Sequence, residues 1–96
     1  MFVQVAANGE ISLQDAENFR AFKLVVACDA AKLPAAIDGV AVLDDGHAWI
    51  APAALLQLHG ADAAWEQSLA AMIEKARPHG WIHPATGAIR AHIEQA

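Results

Sequence analysis

The chain has 96 residues, a net charge of −5 and 56% hydrophobic residues. That length gives one domain with one modest core and excludes two domains joined by a linker. Its six basic residues are scattered, with no positive stripe for a phosphate backbone or an anionic leaflet, so neither nucleic acid nor membrane is expected as a partner.

The high hydrophobic fraction is inflated by alanine, which makes up a quarter of the chain. Alanine buries little area, so the core must rest on Leu, Ile, Val, Phe, Trp and Met. A core of this size is often completed by a second subunit, and a homodimer is expected on that ground. The single cysteine, Cys28, excludes an intramolecular disulfide. The opening MFVQVAANGE lacks a basic region and a long apolar run, unlike a signal peptide. The longest apolar stretch, LVVACDAA, is broken by Asp29 and falls far short of the ~20 residues a bilayer needs. A cytoplasmic location is expected.

In chain order, FVQVA at 2–6 reads as a strand with Val3 and Val5 on one face, ended by the Asn8-Gly9 turn. Ser12 stands three residues before Asp15, a weak form of the capping box. Leu13, Ala16, Phe19, Phe22 and Val26 follow helical spacing, which predicts a helix over 13–27. The alternative is a shorter helix followed by a strand FKLVVA, whose β-branched density favours extension. Residues 28–39 form a connector interrupted by Pro34 and closed by Asp38-Gly39. Asp45-Gly46 then marks a two-residue hairpin turn that pairs Asp44 with His47, Leu43 with Ala48 and Val42 with Trp49. Both faces of that hairpin are mostly apolar, so cover is expected on both sides.

Pro52 suits a first helical position, and PAALLQLHG reads as a short helix stopped by Gly60. Asp62 can cap the next helix, whose apolar stripe is Trp65, Leu69, Met72, Ile73 and Ala76, ended by Pro78 and Gly80. GWIH and AIRAHIE flank the turn residues 84–87, giving a final hairpin or strand. The resulting fold class is α+β: one small domain over 1–96 in a ferredoxin-like βαββαβ order, with a split second helix.

Few residues in this chain invite chemistry. Ser12 and Ser68 sit on or beside helices, with no strained elbow to make a nucleophile, and no glycine-rich phosphate loop is present. Cys28 follows an apolar run and precedes Asp29, a setting that suits a buried thiol rather than a reactive one. Asp44 and Asp45 are explained by turn chemistry. His79 and His83 would lie about 13 Å apart in extended chain, too far to share one ion without help from His92, Glu94, Asp44 or His47. No metal and no cofactor is expected.

The C-terminal stretch HGWIHPATGAIRAHIEQ gives the sharpest expectation. If residues 83 and 88 close its turn, Ile82 faces Ile89, Trp81 faces Arg90 and His79 faces His92. One face would then carry His79, Trp81, Arg90 and His92, with Ile89, Ala91 and Ile93 on the other. The plainer reading is a solvated or interfacial face with Arg90 stacked on Trp81 as a cation–π pair. The functional reading is a polar pocket. Arg90 would bind an anion against Trp81, and His79, His83 or His92 would carry protons. Two functions follow. One is an interaction or accessory domain, dimeric or bound to a protein partner. The other is a small cofactor-free enzyme or ligand binder of isomerase, lyase or oxygenase type, centred on His79, His83, Arg90 and His92. The chain resembles no family in its motifs.

Overall fold

A computed structural model describes all 96 residues and shows a small α+β domain. Strands β1 (Phe2–Val5), β2 (Ile11–Gln14), β3 (Lys23–Val26), β4 (Ala41–Asp44), β5 (His47–Ile50) and β6 (Ile89–Gln95) form one mixed sheet in the order β2-β1-β3-β6-β5-β4. The three helices are α1 (Leu33–Ala36), α2 (Pro52–His59) and α3 (Ala63–Ala76). A single 3-10 turn, Arg77–His79, follows α3.

Several local expectations match this architecture. Val3 and Val5 are both fully buried on one face of β1. Asp45 and Gly46 take the positive φ values of 46° and 82° that a tight hairpin turn requires, and the β4–β5 register is the one the turn dictates. Pro52 opens α2 and Gly60 ends it. The Asp62 carboxylate accepts from the Trp65 backbone N–H at 3.1 Å, capping α3.

The expected helix over 13–27 does not form, and the observed succession therefore differs from the ferredoxin-like βαββαβ order. Residues 11–14 instead pair with β1 as an antiparallel hairpin, and 23–26 pair with β1 in parallel. Residues 15–22 run between them without regular structure, past the start of β1, where the Met1 amino group donates to the Asn18 and Ala21 carbonyls at 2.8 and 3.1 Å. The apolar spacing had two solutions. Pairing wins because it buries Leu24 and Val26 completely or nearly so and lets β-branched Val25 and Val26 stay extended. The short α1 inside the connector was also not anticipated.

One face of the sheet holds the core. Val3, Val5, Leu24, Val26, Ala48, Ile50, Ile89 and Ala91 point to it and meet Leu33, Ile37, Leu55, Trp65 and Leu69 from the helical side. The other face is the one from which Arg90, His92, His47 and Trp49 project. Cross-strand partners project together, so a row runs Phe2–Lys23–His92–His47–Asp44 and a second runs Arg90–Trp49–Val42. The hairpin of β4 and β5 is covered on one side only. β4 is an edge strand, as is β2 at the far end, and its Val42 is 67% and Leu43 40% exposed. No helix is long and apolar enough to cross a membrane.

Candidate functional site

β6 has two different neighbours along the edge it turns towards β3. Its His92 pairs with Lys23, the first residue of β3, whereas Ile89 forms an isolated bridge with Ile82. The bridge is held by Arg90 N–H donating to the Trp81 carbonyl and His83 N–H donating to the Ala88 carbonyl, both at 2.8 Å. This is the register the C-terminal sequence implies. Ile89 and Ala91 are buried and Ile93 is partly so, while Arg90 and His92 face outward. It is shorter than a hairpin, because Pro78 and Gly80 hold His79 in the 3-10 turn.

The notch between Trp81 and Lys23 opens into a cleft of about 900 Å³. Its floor is Ile89, Arg90 and His92, with His47 beside them from β5. One wall is the irregular segment 17–22. The other is the last turns of α3 with His79 and Trp81. Trp65 ties the two walls together. Its indole Nε1 donates to the Ala16 carbonyl at 2.8 Å, and its ring lies 6.0 Å from that of Phe19.

His79, Trp81, Arg90 and His92 therefore line one cavity, but not in the expected contacts. Trp81 stacks on His79, with ring centroids 4.4 Å apart and planes 20° apart. Arg90 does not cover Trp81. Its guanidinium lies 3.0 Å from His47 Nε2 and can donate to it when that nitrogen is unprotonated. His83 is not in this cleft. Its Nδ1 accepts from the Ala85 N–H at 3.1 Å and its ring meets Trp49 edge-on at 5.0 Å, so it serves the turn. Sequence reasoning missed Arg20, Lys75 and Phe22 in the lining, and placed His47 only as a remote helper. Their convergence follows from the β5–β6 and β3–β6 pairings, for which no local signal exists.

The electrostatics of the cleft oppose those of the whole chain. Arg20, Lys75 and Arg90 are half of the chain's lysines and arginines, and three of its five histidines join them. Glu17 is the only carboxylate in the lining. The two ion pairs in the structure, Lys23–Glu94 at 2.8 Å and Arg77–Glu74 at 3.1 Å, use none of the three cleft cations. Next to the cleft, the Lys23 ammonium holds the Glu94 carboxyl below its usual range, first through the hydrogen bond and then through charge. Burial pushes the Met1 amino group down, only partly countered by Asp15.

The cleft can hold an anion and an apolar body. Ser68 in its wall makes no hydrogen bond to a base, and Cys28 is buried in the core, so no activated nucleophile faces it. No group of three or more His, Cys, Asp or Glu side chains converges to hold a metal ion. A second, more apolar cleft of about 420 Å³ lies along β4, bordered by Val42, Leu43, Trp49 and His83. No protein-family model, curated protein or solved structure matches this chain.

Proposed function

We propose that this protein is a small-molecule binding module whose cleft takes an anionic ligand. One observation carries the reading. In a chain of net charge −5, three unpaired cations and three histidines converge on one cavity with a single carboxylate. Unpaired cations in a cleft with low-dielectric walls concentrate anions, and a guanidinium matches a carboxylate or phosphate in a bidentate way. Arg90 is the central contact, because β6 fixes its backbone on both sides and His47 sets its side chain. Binding rather than turnover is the core of this reading, and His47, His79 and His92 are the groups that would move a proton if a reaction occurs there.

Isothermal titration with benzoate, indole-3-acetate and inorganic phosphate tests it. At least one should bind saturably, and Arg90→Gln should weaken it about tenfold or more, the loss expected for a charged hydrogen bond. Absence of binding by all three, or equal binding by Arg90→Gln, would overturn the proposal.

A second reading is favoured by β4. This edge strand carries no lysine, proline or bulge, and it presents the exposed side chains of Val42 and Leu43. Such an edge is a template for another strand. We propose that the protein self-associates there as a homodimer in the cytoplasm. Sedimentation over a range of concentrations should show a dimer that Leu43→Lys dissociates. A wild-type monomer at every concentration would refute it.

A further inference from the structure

We infer that the ligand of the cleft is a planar aromatic acid, with its ring on the free face of Trp81 and its anionic group on Arg90. This inference rests on the proposal that the cleft binds an anion, and it names the rest of the molecule.

Trp81 is 47% exposed, the most exposed of the three tryptophans. Leaving that much indole in water is unfavourable. Yet the residue is anchored through its backbone. Its backbone carbonyl accepts from the Arg90 N–H and its backbone N–H donates to the Ala76 carbonyl at 3.4 Å, while the next residue, Ile82, is buried and bridged to Ile89. His79 covers one face of the ring at 4.4 Å. The ring is thus supported on one face, still about half exposed, and part of the cleft lining.

The second observation is where Arg90 is not. A guanidinium directly across a strand pair from a tryptophan can lie on the indole. Here it is held by His47, on the side of β6 opposite Trp81. Indole and cation both line the cleft, and the indole face is not occupied by the cation. Opposed side chains start about 5 Å apart. A ligand that uses both must therefore carry its anionic group within a few bonds of a flat ring. Phe22 and Met72, both half-buried, add an apolar wall for that ring.

The test compares 2-naphthoate with cyclohexanecarboxylate by isothermal titration, with inorganic phosphate and phenyl phosphate as further arms. The two carboxylates share a charge and differ in planarity. 2-Naphthoate should bind about fivefold tighter or more, the advantage an aromatic stack confers. Trp81→Leu should abolish that preference and Trp81→Phe should keep part of it, while Arg90→Gln should weaken both acids alike. Circular dichroism confirms that each variant is folded, and amide chemical shifts at Trp81 and Arg90 report binding at this site. Equal affinity for the two carboxylates, or a preference that survives Trp81→Leu, would overturn the aromatic assignment and leave anion binding standing. Phenyl phosphate binding more tightly than 2-naphthoate would identify the acid as a phosphate. Failure of every acid to bind would remove both proposals.

Discussion

Trp65→Phe is the substitution that most directly tests how the cleft is held together. Trp65 is 3% exposed and belongs to the core through α3. Its indole also makes the 2.8 Å hydrogen bond to Ala16 that fastens the irregular wall of the cleft. Its ring stacks on His59 at 4.0 Å, with planes 5° apart. Phenylalanine keeps the anchor in the core and removes the N–H. The net loss of that hydrogen bond is about 1 kcal/mol, at the low end because Ala16 is half-exposed and its carbonyl can be hydrated. The smaller ring adds about 1 kcal/mol from lost burial and imperfect collapse. A total of about 2 kcal/mol lowers the thermal midpoint of a domain this size by roughly 8–16 °C. Thermal unfolding followed by circular dichroism measures the midpoint. Trypsin gives the local readout, since Arg20 lies in the segment that Trp65 fastens, and cleavage there should accelerate more than at Lys75 within α3. An unchanged midpoint with no faster cleavage after Arg20 would refute the role assigned to this indole.

Other consequences can be measured on the same protein. Asp62→Ala removes the side-chain acceptor for the Trp65 N–H and should cost about 1 kcal/mol in urea unfolding, with Asp62→Asn restoring most of it. Gly46→Ala places a Cβ at φ 82°, where nothing crowds it, so the cost is backbone strain of about 1 kcal/mol rather than a clash. The Glu94 carboxyl titrates lower in the fold than in the unfolded chain because of Lys23. The stability it contributes is complete above the ordinary glutamate value of about 4.3 and disappears as pH falls through the lower folded value. Urea midpoints between neutral and acidic pH should show that loss, diminished in Lys23→Gln and in high salt.

Much of the helical half of this protein was legible in its sequence. Pro52, Gly60, Asp62 and the stripe from Trp65 to Ala76 are local signals, each acting within a turn or two of helix, and α2 and α3 begin and end where they say. The Asp45-Gly46 turn is equally local, and it fixed the β4–β5 register. The alternation in IRAHIE placed Ile89 and Ala91 inward and Arg90 and His92 outward because a strand has a period of two residues. Residues 11–22 were not legible in this way, and 23–26 only as the alternative strand FKLVVA. Their apolar spacing fits a helix, and what decides against one is burial against partners that are distant in sequence, such as β6, 69 residues beyond Lys23 in the β3–β6 register.

The site divides along the same line. The sequence by itself determined that Trp81 opposes Arg90 and that His92 shares their side, because turn geometry and alternation are set by neighbouring residues, whereas His79 reaches the cavity from the 3-10 turn and not from the strand. The sequence could not determine that His83 is taken by its own turn, or that His47, Arg20 and Lys75 join the others. Those side chains come from β5, from the segment before β3 and from α3. Only the insertion of β6 between β3 and β5 brings them to one cavity. Strand order is settled by the burial of a whole sheet face at once, a quantity spread over the entire chain. The chemistry of each residue was written in the sequence, and the company it keeps was decided by the sheet.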